Sequence, residues 1–403
     1  MALVPLWLRV FALPLLASLL VWLHGAVAGG AAAGRPKGQP LQTEALTGFR
    51  CVMTLWVFLY HMQLIRLEGS GSFVVLAGCV LSIPRPGDSG TAAKCLVHAG
   101  WRSVLSFLLS RYLRIMPMFW VASLATKPWL QVAQLPDGLL GFAKLSFTAF
   151  VGTLRNDPGR VLWCARPVRE EWFVKAILVC YLAFPLLERL VRGAPGQGPP
   201  SRRRLLSILG VAVASRLAIV IGVTSMRARF GSRKGMYSGE VPWLGVIKMY
   251  VFPIFRLPDF TMGVLVPHLA SDQAPAWLCV CSDMVFLALL ALSPYSPDGS
   301  IFRRLTDLQV EAPLWAFALW GFCFTGRPSL VGRVLACYPA WLAKCSYGIY
   351  LFHIPVALSL GFDWARLPLA VIATIFAFTV MLSWIGATLV EEQVEKFVKA
   401  YIR

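Results

Sequence analysis

Apolar residues run along this chain in long blocks, separated by short basic or proline- and glycine-rich breaks. The blocks fall at Leu46–Ile65, Ser72–Ile83, Val104–Ala125, Leu139–Leu154, Trp172–Leu187, Leu205–Thr224, Trp243–Leu269, Trp277–Leu292, Pro313–Phe324, Leu342–Leu360 and Leu367–Val390. A hydrocarbon layer about 30 Å thick takes about 20 apolar residues in a helix. Several blocks reach that length; others are short, and Pro253 and Pro258 interrupt the one at 243–269. The pattern predicts an all-α, polytopic transmembrane bundle of about ten to eleven spans.

Upstream, residues 1–28 begin with the lone charge Arg9, continue apolar and close on Ala26-Val27-Ala28. That profile fits a cleaved signal peptide, a transit segment or an extra helix, so 1–43 is set apart from a membrane domain over 44–396 and a tail over 397–403. Gly193–Arg204 is a loop by composition. There is no recognisable repeat and no separate soluble domain.

Composition sharpens this picture. Of 403 residues, 58% are hydrophobic and 14% charged, with mean hydropathy +0.67; soluble domains carry about 25% charged residues. The 38 basic against 19 acidic residues give +19. That excess suits loops facing anionic lipid, or an anionic substrate such as a phosphorylated cofactor. With no long basic, aromatic-interleaved soluble stretch, nucleic acid is excluded as a partner. Ten cysteines lie scattered, without a C-x-x-C pair. They point to neither zinc nor a disulfide framework.

Five polar constellations interrupt the apolar pattern. In the first block, Arg50 and His61 are eleven residues apart, which on a helix is about 20° in direction and roughly 16 Å along the axis. They share one stripe, and an ionisable group at membrane depth is by default a functional hypothesis. Arg111 and Arg114, three apart, make a guanidinium fork suited to phosphate oxygens. Trp163–Trp172 (WCARPVREEW) carries Glu170 and Glu171 at a helix start, where the macrodipole favours carboxylates whatever else they do. Arg256-Leu-Pro-Asp259 places an ion pair at a helix break, pointing to a cavity or to a purely structural pair. Ser346, Tyr350 and His353 fall on one helical stripe that lines a pocket or joins helices. G-x-S-x-G, H-E-x-x-H, P-loop and H-x-x-x-x-D patterns are missing, so neither a serine hydrolase nor an ATP-driven pump is supported.

Taken in order, these sites resemble the acyltransferase-3 family of integral membrane acyltransferases. The resemblance runs from Leu46 to about Lys396. It rests on Arg50 and His61, on Phe73-Val-Val-Leu-Ala-Gly78-Cys for the family's F-F-V-L-S-G-F, and on Arg111, Arg114 and Pro117 for R-x-x-R-I-x-P. Glu171 stands in the W-x-x-x-x-E element, Arg256–Gly263 matches R-L-P-E-F-x-x-G with Asp259 for Glu, and Ser346–His353 matches S-Y-G-I-Y-L-x-H in full. Departures are Ala77 for Ser, a looser spacing before Glu171, and Gln393 where V-E-x-P has Pro.

The resemblance implies transfer of an acyl group, commonly acetyl, from acyl-CoA to a hydroxyl of a carbohydrate, lipid or small-molecule acceptor. It implies His61 as general base, Arg50 as organiser of the site, and Glu171 as orienter of the base. Arg111 and Arg114 would hold the CoA phosphates. Arg256, Asp259, Ser346, Tyr347, Tyr350 and His353 would shape the substrate pocket. No metal or permanently bound cofactor is required. An alcohol does need a base to attack a thioester, and neutral imidazole suits that near neutral pH. A proton-coupled transporter using Arg50, His61, Asp259, Asp283 and Asp363 is the rival reading, and a catalytically inactive binding scaffold the third. The expected location is a multi-pass position in a membrane the sequence does not specify, with the residue-44 end cytosolic (or stromal, in a plastid). That placement puts the basic loops at 85–102 and 155–171 inside.

Overall fold

The computed structural model describes residues 43–65, 69–83, 100–126, 171–193, 200–230, 253–270, 275–292, 311–325, 329–359 and 368–401, without the side chains of 123–126, 171, 223–230, 292 and 358–359. The expected segments at 1–42 and Leu139–Leu154, and Asp363, lie outside these residues. All regular structure among the described residues is helical. In chain order the helices are α1 (Glu44–His61), α2 (Ser70–Ser82), α3 (Trp101–Thr126), α4 (Glu171–Arg192), α5 (Arg202–Phe230) and α6 (Leu257–Leu265). They continue with α7 (Ala276–Leu292), α8 (Ala312–Cys323), α9 (Leu330–Ala336), α10 (Ala340–Ser359), α11 (Leu369–Gly386) and α12 (Glu392–Tyr401). A π turn, Ala387–Glu391, joins the last two.

Among the described residues, three stretches are long and apolar enough to cross a membrane: Trp101–Ala122, Arg202–Gly222 and Leu369–Tyr401. Shorter apolar helices are Ser70–Ser82, Ala276–Ala291 and Ala312–Cys323. The outward faces agree with a lipid environment. On α4, Leu182, Leu186 and Leu190 recur every fourth residue and are exposed; Phe378, Met381 and Ile385 are exposed at spacings of three and four on α11, and Leu217 and Ile221 at a spacing of four on α5. Contiguous exposed apolar stripes of this kind mark membrane or partner contact.

Helix α1 runs between two buried clusters. Phe49, Met53 and Trp56 face one, with Phe286, Trp315 and Phe322; the Phe49 ring lies 6.0 Å from both Phe286 and Trp315. Val57, Phe58 and Met62 face the other, with Met118, Phe184 and Phe352. Arg50 and His61 lie within about 40° of Val57 around α1, on the side of the second cluster. Helices α2 and α6 pack backbone to backbone through a pair of glycines. A Cβ on Gly78 would strike the Phe260 carbonyl, and one on Gly263 the Val75 carbonyl.

The region read as a helix break at Pro258 has a different local structure. A 3-10 turn, Pro253–Arg256, leads straight into α6, with Pro258 in the helix's first turn. Proline there loses nothing, because the first N–H groups of a helix have no intrahelical partner. It starts a helix rather than breaking one. Two elements, one short and one charged, fall outside the apolar blocks. One is α9, whose Ser329 accepts a hydrogen bond from the Gly332 N–H at 2.9 Å; the other is the charged α12. In the arginine-rich first turn of α5, Arg204 donates to the Leu190 carbonyl at 2.6 Å and closes the end of α4.

Candidate functional site

Two polar stripes face each other along α1 and α10. On α1 the stripe is Thr47, Arg50 and His61; on α10 it is Ala340, Ala343, Ser346, Tyr347, Tyr350 and then His353. At their far end the two imidazoles meet, His353 Nε2 lying 3.0 Å from His61 Nδ1. Each ring is also tied to its own helix: His61 Nδ1 lies 3.0 Å from the Val57 carbonyl, and His353 Nδ1 lies 3.0 Å from the Ile349 carbonyl. A carbonyl only accepts. His353 therefore carries its proton on Nδ1 and presents Nε2 as an acceptor. By the same reasoning His61 Nδ1–H donates towards Val57 and His353, and the basic lone pair of neutral His61 sits on Nε2.

Nearer the start of both helices lies a cavity of about 450 Å³, within the usual range for small-molecule sites. Its walls bring together Arg50, Arg111 and Arg114 with Tyr181, Ser346 and Tyr347. Tyr347 donates to the Ile115 carbonyl at 3.1 Å and so fixes α3, with its two arginines, against α10. Arg111 lies with its guanidinium 5.5 Å from the Phe107 ring centre. Acidic residues reach the cavity only from the π turn and α12, among the described residues. Glu392 pairs with Lys344 at 3.4 Å, and Glu395 with Lys399 at 2.8 Å. Glu391 is left within electrostatic reach of Arg114 and Arg50, one of its carboxylate oxygens buried without a hydrogen-bond partner. Three guanidiniums against one such carboxylate leave the cavity positive, a setting for a polyanion.

The floor of the cavity is aromatic. Phe73 from α2, Phe173 from α4 and Tyr350 from α10 all line it, with ring centres 6.0 Å (Phe73–Phe173), 6.3 Å (Phe73–Tyr350) and 4.9 Å (Phe173–Tyr350) apart. Beyond them Tyr350 lies 6.1 Å from His353. Neither histidine is among the described lining residues.

Arg256 and Asp259 lie elsewhere. Asp259 accepts a hydrogen bond from Arg256 Nη1 at 3.3 Å and pairs with Arg216 Nε at 3.2 Å, all three side chains being buried. Arg216 also donates to the Phe255 carbonyl at 3.1 Å, and the Arg256 guanidinium lies 5.4 Å from the Trp172 ring centre. The cluster ties α5 to the start of α6, outside the cavity. Asp283 is likewise used locally: it accepts from Leu330 N at 2.9 Å and from the Ser329 hydroxyl at the start of α9. Glu171 opens α4, but its side chain lies outside the described residues, as does Glu170.

The structure thus unites Arg50, Arg111, Arg114, Ser346, Tyr347 and Tyr350 around one cavity and joins His61 to His353 beside it. Sequence reading alone passes over Tyr181, Glu391 and Arg216. An arginine in the middle of the apolar run Leu205–Thr224 is a signal for the last of these; the other two look like ordinary helix residues. The chain matches no family model, no curated protein and no solved structure.

Proposed function

We propose that this protein is an integral membrane O-acyltransferase of the acyltransferase-3 type, with about ten to eleven spans, that moves an acyl group from acyl-CoA to a hydroxyl. The observation that carries the reading is the shared pair of helices. A three-arginine cavity opens at one end of the α1 and α10 stripes, and a hydrogen-bonded imidazole pair lies towards the other. Phosphates of the donor bind Arg50, Arg111 and Arg114 through charge-assisted bonds, and the thioester is carried along the stripe towards His61.

There His61 Nε2 takes the proton of the acceptor hydroxyl as its oxygen attacks the thioester carbon. The tetrahedral intermediate collapses to the ester and expels the CoA thiolate, which takes the proton back from the imidazolium. His353 is a positioning residue: its Nε2 lone pair accepts from His61 Nδ1–H, fixing the tautomer and supporting the transient positive charge. A nucleophilic serine, a metal and a bound cofactor have no part in this scheme.

The test supplies purified protein with acetyl-CoA and a panel of saccharides, lipids and small alcohols, and follows release of the CoA thiol. Acceptor-dependent release that disappears in His61→Ala is the expected result. CoA-independent, proton-coupled uptake by proteoliposomes, with no thiol release, would replace this reading with the transporter, for which the buried Arg216–Asp259–Arg256 cluster offers the ionisable groups.

A further inference from the structure

The donor cavity stops at three rings, and the imidazoles lie behind them. We infer that Phe73, Phe173 and Tyr350 form a restriction that limits the transferred acyl group to short chains; this rests on the acyl-CoA reading above. Each ring comes from a different helix and touches the other two, so the triangle closes the floor without any single residue spanning it. Tyr350 and Phe173 are buried, whereas Phe73 is half-buried and borders open cavity. Phe73 is consequently the ring with room to turn. A linear arm from phosphates held at Arg50 has to cover roughly 16 Å along α1 to bring its thioester to His61. Its path crosses this floor.

Space behind the floor is already occupied. The Phe58 ring lies 6.3 Å from His353 and 5.0 Å from Phe376, and Val57 and Met62 are buried in the same cluster. A slim arm passes when Phe73 rotates, but each methylene on the acyl group must displace packed side chains, and overpacking of this kind is destabilising. Acetyl and propionyl groups fit; longer chains do not. Truncating a ring opens volume at the point where the chain would lie.

The experiment measures binding of adenosine 3′,5′-bisphosphate, CoA, acetyl-CoA, butyryl-CoA and hexanoyl-CoA to the full chain in lipid nanodiscs. Wild type is compared with Phe73→Ala, Phe173→Ala and the milder Phe173→Leu. Wild type should bind CoA and acetyl-CoA alike and hexanoyl-CoA about tenfold more weakly, the equivalent of about 1.4 kcal/mol of misfit. The variants should keep their affinity for adenosine 3′,5′-bisphosphate, which lacks the arm and so reports an intact fold and phosphate site, and bind hexanoyl-CoA nearly as well as acetyl-CoA. Equal wild-type affinity for all chain lengths overturns the restriction, as does a length profile that no variant alters while CoA still binds. Failure of wild type to bind CoA at all overturns the acyl-CoA reading beneath it.

Discussion

Glu391 sets a carboxylate within electrostatic reach of two of the cavity's three arginines, Arg50 and Arg114. The π turn that carries it inserts an extra residue into the helical repeat, and such turns recur at functional positions because they re-aim side chains. With the cavity empty, Glu391 partly offsets Arg50 and Arg114; with phosphates bound, it repels them. Glu391→Gln should therefore tighten binding of adenosine 3′,5′-bisphosphate several-fold in a titration at low salt, with the gain shrinking as ionic strength rises. Weaker binding would show that the carboxylate accepts a bond from the ligand instead. His353 makes a different prediction. His353→Ala should leave CoA affinity unchanged and lower turnover on the order of a hundredfold, the scale of assistance to acid–base catalysis. Equal loss of CoA affinity would remove its positioning role.

Among the helices, α1 and α10 show most plainly what fixed spacing can and cannot reveal. Arg50 with His61, and Ser346 with Tyr350 and His353, were readable as stripes because helical geometry alone puts them on one face. That the two stripes meet, imidazole against imidazole, depends on packing between segments nearly three hundred residues apart, which periodicity does not encode. Pro258 misleads for a related reason, since proline marks helix starts and helix breaks equally. Helix α1 is plain in sequence as the apolar block Leu46–Ile65, yet among the described residues it is absent from the span-length stretches because Glu44, Arg50 and His61 dilute its apolar character. The α2–α6 contact offers a packing test. Gly263→Ala should lower stability by about 1–3 kcal/mol, because the added methyl meets the Val75 backbone rather than a yielding side chain. A melting curve in detergent identical to wild type would show that these helices can separate freely.

Across the described residues, two arginine clusters do different work. The three cavity arginines face Glu391 while Glu392 and Glu395 are paired with lysines, whereas Arg216 and Arg256 share Asp259 in a buried cluster that joins α5 to α6. Both sites were visible in sequence as polar interruptions of apolar runs; their division of labour was not, because it follows from which helices pack together. Asp259→Ala should cost about 3–5 kcal/mol of stability by leaving two guanidiniums buried without their carboxylate. Protein that still folds should bind CoA with unchanged affinity. A selective loss of CoA or acceptor binding, with normal melting, would return Arg256 and Asp259 to the substrate pocket.

The central claim is that the three-arginine cavity receives acyl-CoA while His61 acts on it from beyond. It is tested most directly by titrating acetyl-CoA into the purified protein, into the Arg111→Ala/Arg114→Ala double variant and into His61→Ala. Binding should collapse in the double variant and persist in His61→Ala, with all three melting alike. A well-folded wild type that binds no acyl-CoA would contradict the account.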